Sequence, residues 1–432
     1  MTEPKPRGYC PSVWTPMPSG DGLIVRVRPR HARISASDLA ALARLARAAG
    51  NGIIELTRRA NLQIRGVSAS SWPALLGELC ERGLAGAEPG SDAHPSLFVC
   101  PLSGLDPRCP PLEGLGDALL AVLREPRPAA LPDKFAIVLG GGSSSSSALS
   151  ADIHVRLHPG HPDRADLLVA GKADDATPLG SCALGDVPAA VRALLVALAA
   201  YPVERRRMRD ALNQNLGALR DAVRPFASDG ARREPAWGAP EVGYHTGLSD
   251  WFGYALPFGS ASAEDWAALA RVAERLGDGN VRFTPTRHAL IVGVRPEARR
   301  ALVEFGQRRS FGVRRPARTL ELVACSGSPA CGSAHGETRS LARRLGKLLG
   351  GRARDRATVH VSGCEKSCAR QEAADVTLVH AADGLRLGFG RDVAGTLLTR
   401  PVSLDAALDQ LVQRFVRPPA TPSAVGPGKS SP

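Results

Sequence analysis

Four of the chain's nine cysteines fall into two tight pairs, CSGSPAC at 325–331 and CEKSC at 364–368. The spacings are x5 and x3. Thiolates are soft ligands, and four in one pocket suit either a tetrahedral zinc ion or an iron–sulfur cluster. Structural zinc takes pairs spaced x2 to x4, so that one tight knuckle grips one ion. Ser, Gly and Pro between Cys325 and Cys331 make a wider loop, which favours the larger footprint of a cluster. Backbone N–H groups of Gly327 and Gly332, or a helix start near His335, could balance its negative charge. Cys10, Cys80, Cys100, Cys109 and Cys182 follow no ligand pattern and read as small hydrophobes. An odd number of cysteines in a long chain does not read as a disulfide framework.

A second group is cationic. The stretch ELTRRANLQIRG (55–66) carries Arg58, Arg59 and Arg65. Arg59 and Arg65 alternate with apolar positions as on a strand, so some of these cations should share one face. The net charge is +13, and the basic residues are almost all arginine, with lysine at only six positions including Lys134. Arginine forks grip carboxylates in bidentate fashion, so such a field suits a small substrate carrying many carboxylates. Aromatic residues make up 4% of the chain, too few for obvious base-stacking platforms, and a nucleic-acid partner is set aside. His31, His154, His245 and His288 are available as further metal ligands, although a lone histidine is more often an ordinary surface or core residue.

These residues need elements to hold them. Cys325 ends the predicted strand RTLELVAC (318–325), and Cys364 ends ATVHVSGC (357–364). The helix ETRSLARRLGKLL (337–349) lies between them, and ADVTLVH (374–380) follows. If the two strands are neighbours, all four thiols converge at one end of a sheet. Earlier in the chain, SASDLAALARLARAAGNGIIELTRRANLQIRGV (35–67) aligns without a gap to SAEDWAALARVAERLGDGNVRFTPTRHALIVGV (262–294), with 15 of 33 positions identical. Each copy reads as a capped amphipathic helix, a glycine turn, and two strands; DGLIVRVRP (21–29) and WFGYALPFG (251–259) add a strand before each helix. Such units are halves of a ferredoxin-like α+β module. Strand–loop–helix–strand segments follow each copy, so the chain reads A–B–A′–B′, with 432 residues sufficient for two or three packed units. The run GGGSSSSS (140–147) reads as a flexible loop, and the Pro/Ser/Gly-rich end at 417–432 as disordered.

No run of eighteen apolar residues and no N-terminal apolar h-region is present, so neither a membrane partner nor secretion is indicated, and a cytoplasmic location is expected. No Gly-x-Gly-x-x-Gly follows a strand to open a helix, so electrons are expected from a separate reductase supplied by NAD(P)H.

The cysteine pattern, with HVSGCEKSCAR (360–370), resembles the cluster motif of the sirohaem-dependent nitrite and sulfite reductases, whose A–B–A′–B′ build the internal repeat matches. The resemblance implies that Cys325, Cys331, Cys364 and Cys368 ligate a [4Fe–4S] cluster, with Cys368 in the position that bridges to a haem or iron. It implies an α+β fold in which ferredoxin-like half-domains (10–80 and 240–305) alternate with mixed-sheet reductase-type α/β domains (90–225 and 315–415). It gives Arg59 and Lys134 (of LPDKFA, 131–136) roles at the reacting group, and Arg58, Gln63 and Arg65 roles in binding. Two family cations are missing, since Ala136 stands at a lysine position and HPSLFVC (94–100) lacks an arginine. CPSVWTPMPSGDGLIVRVRP (10–29) and CPLSGLDP (100–107) are similar instead to one branch of the family, the precorrin-3B synthases of aerobic cobalamin formation. That branch implies precorrin-3A as substrate, dioxygen as co-substrate, the cluster and a mononuclear iron as cofactors, and C20 hydroxylation with γ-lactone closure. The other family activity, sirohaem-dependent reduction of sulfite or nitrite, is the alternative. A non-enzymatic iron–sulfur electron-transfer or nucleic-acid-binding protein is a third.

Overall fold

Serine caps start the two repeated helices in the same way. Ser35 Oγ accepts from Asp38 N at 3.0 Å and donates to Asp38 Oδ2 at 2.7 Å, opening the helix Ala36–Ala49. Ser262 does the same with Asp265, at 3.1 and 2.7 Å, for the helix Ala263–Leu276. Each cap satisfies a helix-start N–H and sets an acidic side chain against the positive end of the dipole. The backbone repeats as faithfully as the sequence. His31, Ala32 and Ala60 have φ of 54, 54 and 55°, and their partners 227 residues on, Phe258, Gly259 and Arg287, have 57, 68 and 65°.

The computed structural model describes residues 10–89, 96–125, 131–132, 134–141, 143–147, 149–158, 161–202, 206–228, 238, 241–314, 320–349 and 357–415. The expected disordered tail at 417–432 lies outside them. The chain forms two compact units, 1–315 and 316–432. Among the described residues no helix is long and apolar enough to cross a membrane.

Unit 1–315 holds three five-stranded sheets. The first, antiparallel throughout, runs Met17–Ser19, Gly22–Val27, Leu62–Val67, Ile53–Leu56 and Ser260–Ser262. The second has the same plan in the second copy: Gly243–His245, Trp251–Ala255, His288–Val292, Asn280–Phe283 and Arg33–Ser35. Each half-domain thus lends its third strand to the other's sheet. Trp266 adds a link between the copies, its indole N–H donating to Ile54 O at 3.1 Å within a core that includes Leu39, Leu42, Phe283 and Ile291. The third sheet is mixed: Ser96–Val99, Ala136–Gly140 and Ala151–His158 are parallel, then His161–Gly171 and Thr177–Ala183 return antiparallel. The serine run is not a loop, because Ser144–Ser147 forms a short helix and Ser143, Ser146 and Ser147 are buried, with Ser143 Oγ and Ser146 Oγ 2.7 Å apart. Mutual hydroxyl pairing satisfies polar groups that a hydrophobicity pattern cannot place.

Unit 316–432 repeats the mixed-sheet plan. Leu320–Ala324, Ala357–Ser362 and Ala374–Ala381 are parallel neighbours, and Gly384–Arg391 and Pro401–Val402 follow antiparallel. The helices Thr338–Leu349 and Leu404–Phe415 bury Leu341, Leu345, Leu408 and Leu411. The fold is therefore α+β, with ferredoxin-like halves and mixed sheets.

Candidate functional site: a four-thiol loop pair and an arginine cavity

The thiols follow from strand register. Leu320–Ala324 and Ala357–Ser362 pair in parallel with Ala324 opposite Val361, so the loops carrying Cys325 and Cys364 leave the sheet at the same end. The first loop is fixed by Cys331 N donating to Gly327 O at 2.8 Å, Ser328 N to Gly336 O at 3.0 Å and Thr338 Oγ1 to Cys325 O at 2.7 Å. Gly327 has φ +68°, and a Cβ there would come within 2.5 Å of Thr338 Oγ1, so only glycine fits. The loops are joined by His335 N donating to Gly363 O at 2.7 Å and Gly363 N donating to Cys325 Sγ at 3.3 Å. Lys366 Nζ reaches Ser333 Oγ at 3.1 Å.

Within this frame Cys364 is buried, Cys325 and Cys331 are half-buried, and Cys368 is exposed. Burial pushes the Cys364 thiol up to about 11; charge on Cys368, Glu365 and Cys325 adds to the effect, and a backbone hydrogen bond from Lys366 opposes it. Cys368 is also raised, by desolvation first and then by Cys325 and Cys331, against the Lys366 cation. Cys364 and Cys368, both raised in part by neighbouring thiols, belong to a set whose ionised form calls for a cation. The donor set is soft sulfur throughout, which fits an iron–sulfur cluster or zinc. Among the described residues no three His, Cys, Asp or Glu side chains meet at single-ion spacing.

Unit 1–315 carries the cationic site. A cavity of about 1080 Å³ is lined by Arg26, Arg28, Arg30, Arg33, Arg59, Arg82 and Arg124, against the carboxylates Asp38 and Glu125. Gln63 holds Arg26, its Oε1 accepting from Nε at 3.0 Å and from Nη2 at 2.6 Å. The Arg26 guanidinium is depressed to about 10, by burial above all, with Arg28 and Arg59 adding and Cys10 opposing. Arg59 is lowered too, again by burial first, with Cys10 and Asp152 opposing and Arg207 and Arg28 adding. Cations crowded into such a site gain from an anionic ligand.

The structure sorts the residues expected from the sequence. Arg59 is on the cavity wall, but not on a strand: it sits in the turn between Ile53–Leu56 and Leu62–Val67, where Thr57 Oγ1 accepts from Arg59 N at 3.3 Å and Asn61 N at 3.1 Å. Among the described residues its guanidinium makes long bonds, to Lys134 O at 3.3 Å and Ser96 Oγ at 3.5 Å. Arg65, expected on the same face, is instead buried in the first sheet between Asp21, at 2.8 and 2.9 Å, and Glu55, at 3.2 Å. Gln63 is a brace for Arg26 rather than part of the wall. Arg58 is half-buried and Lys134 exposed; neither side chain lines the cavity. Among the four histidines, His31 does, with Nε2 2.8 Å from Asp117 Oδ1. The others serve the fold: His154 Nε2 pairs with Gly171 O at 2.9 Å, His245 Nε2 with Val242 O at 2.9 Å, and His288 Nδ1 with Glu241 Oε2 at 2.7 Å. The sequence reading missed Arg26 and Arg28. Their signal is the alternation in VRVRPR (25–30), with Arg26 on the strand Gly22–Val27 and Arg28 just past its end.

The second half-domain lacks the corresponding arginines. At the repeat offset of 227 residues, Gly253 replaces Arg26, Ala255 replaces Arg28 and Thr286 replaces Arg59. A Cβ on Gly253 would lie 1.5 Å from Glu241 O, and the buried Glu241 carboxylate accepts from Thr286 Oγ1 and pairs with His288. One copy lines its cavity with arginines; the other sets a chain carboxylate beside the corresponding positions.

The nitrite/sulfite reductase ferredoxin-like half domain matches residues 15–82 and 245–305. A precorrin-3B synthase from Sinorhizobium sp is 31% identical over 390 residues, covering 88% of this chain and 82% of its own length. The ferredoxin–nitrite reductase of Synechococcus elongatus is 25% identical, covering 85% and 78%. Among solved structures, the NirA protein of Mycobacterium tuberculosis matches with a TM-score of 0.73 over 91% of this chain and 80% of that one, at 21% identity, a likeness of fold. The chain belongs to the nitrite/sulfite reductase family of oxidoreductases, on the branch of precorrin-3B synthase.

Proposed function

We propose that this chain is an oxidoreductase of cobalamin biosynthesis that hydroxylates precorrin-3A at C20 with dioxygen and closes the γ-lactone. The observation that carries the reading is the cavity: about 1080 Å³ lined by seven arginines, at the top of the range for small-molecule sites. A tetrapyrrole with its acetates and propionates needs that volume, and the lack of two family cations, with Ala136 at a lysine position and no arginine in 94–100, favours that tetrapyrrole as substrate over a sirohaem that reduces a small oxyanion. Guanidiniums grip carboxylates through paired N–H donors, so Arg26, braced by Gln63, and Arg59, whose bonds to the described residues are long, are assigned to the substrate's carboxylates. Lys134 and Arg58 are left at the margin, and Arg65 is assigned to the scaffold. The similarity to a precorrin-3B synthase supports the same direction.

Cys325, Cys331, Cys364 and Cys368 are proposed to hold a [4Fe–4S] cluster, with Cys368, the exposed thiol, in the bridging position. A group with several metal atoms matches thiols spread over two loops better than one zinc ion does. When bound, such a cluster delivers electrons one at a time. The chain's own residues hold the thiolates apart from bulk water at Cys364 and offer Lys366 as a counter-charge. The described residues offer no preformed three-ligand site for a mononuclear iron, and no step is assigned to one. Electrons would come from a separate donor protein reduced by NAD(P)H, in the cytoplasm.

The test is anaerobic purification from a host that makes sirohaem, followed by visible spectroscopy and incubation with precorrin-3A, a reductant and ¹⁸O₂. A broad, bleachable iron–sulfur shoulder and incorporation of one labelled oxygen support the proposal. Chlorin bands extractable as sirohaem, with reduction of sulfite or nitrite, would replace it with the reductase reading.

A further inference from the structure

Two histidines outside the arginine cavity meet at the mouth of a hairpin in the first mixed sheet. His158 ends the strand Ala151–His158, and His161 begins its antiparallel neighbour, His161–Gly171. The pairing slips between them. Leu157 lies opposite Ala165, but His158 lies opposite His161 rather than Arg164, so residues 162–164 are left over in the ladder. An irregularity of this kind re-aims side chains. Here it sets the two imidazoles together, with ring centroids 5.4 Å apart and planes tilted by 43°.

His158 is also held from behind. Arg156 and His158, two residues apart, share a face of their strand, and Asp166 is the cross-strand partner of Arg156. The Asp166 carboxylate is fully buried; its Oδ1 lies 2.7 Å from His158 Nδ1 and its Oδ2 3.8 Å from Arg156 Nη2. A carboxylate accepts and does not donate, so it fixes the imidazole proton on Nδ1 and leaves the lone pair on Nε2. Among the described residues neither His158 Nε2 nor the His161 ring has a hydrogen-bond partner. The His158 side chain is 15% exposed and His161 is exposed, so both can be reached from solvent. A carboxylate behind one ring nitrogen with a lone pair on the other is the arrangement of metal-ligating histidines.

The ring separation selects the geometry. With a metal–nitrogen bond of about 2.1 Å and about 1.1 Å from nitrogen to ring centre, two imidazoles on one ion lie roughly 5.2 Å apart at a tetrahedral angle and roughly 4.5 Å apart at a right angle. The observed 5.4 Å matches the tetrahedral case. We propose that His158 and His161 bind a zinc ion, with Asp166 as the orienting carboxylate and water completing the coordination. The site is separate from the arginine cavity. The cavity wall takes the starts of the strands Ser96–Val99 and Ala136–Gly140, whereas His158 stands at the far end of Ala151–His158, which runs parallel to them. Bound there, the ion ties the two strands of the hairpin across their slipped register.

The experiment titrates the full chain with zinc under anaerobic conditions, in competition with a chromophoric zinc chelator, beside His158→Gln and His161→Gln. All three proteins keep every cysteine, so the difference between them reads this site alone and is independent of the cluster and of the substrate. The parent should take up one zinc ion more than either variant. Asp166→Asn, which removes the charge behind the ring, should weaken that ion's binding by roughly ten- to a hundredfold. Zinc should also protect His158 and His161 together from diethylpyrocarbonate, read by mass spectrometry. His161 is exposed, so its replacement removes a ligand without disturbing the core. Equal zinc uptake by the parent and His161→Gln, or both rings modified as fast with zinc as without it, would leave only a tilted ring contact and overturn the proposal.

Discussion

Replacing Arg65 separates a scaffold role from a binding role. Its guanidinium donates to Asp21 Oδ2 at 2.9 Å, Asp21 Oδ1 at 2.8 Å, Glu55 Oε2 at 3.2 Å and Ser19 Oγ at 3.1 Å. The side chain is 4% exposed, against 17% for Asp21 and 8% for Glu55. Arg65→Met fills most of the volume but leaves two carboxylates without their cation. Removing one partner of a buried ion pair costs about 3–5 kcal/mol. Asp21 retains some contact with water, so the lower part of that range, about 3–4 kcal/mol, is expected. For a unit of this size that is a fall in melting temperature of roughly 6–12 °C, followed by circular dichroism on the full chain. Adding Glu55→Met should return part of the loss, since the stranded carboxylate is then gone as well. A variant that melts within 2 °C of the parent yet binds a tetrapyrrole polycarboxylate more than tenfold weaker would refute the argument and return Arg65 to the binding site.

Arg59→Ala should weaken tetrapyrrole binding by about ten- to a hundredfold, the range for one charged hydrogen-bonding partner, while leaving iron and sulfide content unchanged; equal affinity by fluorescence titration would remove Arg59 from the site. Cys364→Ser and Cys368→Ser should each abolish the brown chromophore, and retention of parental iron and sulfide in either would show that the four thiols are not the ligand set. Cluster assembly on the apoprotein should quicken from pH 7 to pH 9. Ligation needs the thiolate, Cys364 is pushed up to about 11, and its ionised fraction grows tenfold per pH unit below that value; a flat rate would contradict this. Burial lowers the pKa of His31, His154, His245 and His380 below 6.5. As pH falls through 6.5 the unfolded chain therefore takes up protons that the folded chain refuses. Stability should drop between pH 6.5 and 5, and a urea midpoint that does not move over that interval would count against it.

The parts of the fold that follow from local pattern were legible in the sequence. The Ser35 and Ser262 caps, the glycine turns and the strands ending at Cys325 and Cys364 are all short-range signals, and each has its counterpart in the structure. The exchanged strands were not. Arg33–Ser35 and Ser260–Ser262 are three residues each, too short to show a period, and they exist because left-handed residues at His31–Ala32 and Phe258–Gly259 turn the chain toward the other half. Arg65 was misplaced for a related reason. Its alternation on a strand is real, but the pairing that neutralises it involves Asp21, 44 residues away, which no local reading reaches. The same holds for Arg26, whose meaning depends on Gln63 across the sheet.

The two half-domains carry the strongest argument about how the site came to be single. They share a backbone down to their left-handed residues, so the difference between them lies in a few side chains. In the first copy Arg26, Arg28 and Arg59 line one cavity, and the charges of Arg28 and Arg59 add to the burial that depresses Arg26, so an anionic ligand would relieve them. In the second, Gly253, Ala255 and Thr286 stand at those positions and Glu241 supplies the negative charge from within, held by Thr286 and His288. A carboxylate from the chain itself is thus accommodated by one copy of a frame whose other copy keeps its cations exposed to a cavity. The chemistry that frame selects is the carboxylate in both cases. That the open copy retains several arginines, where a single cation would hold a single carboxylate, is the reason its ligand is expected to carry many carboxylates.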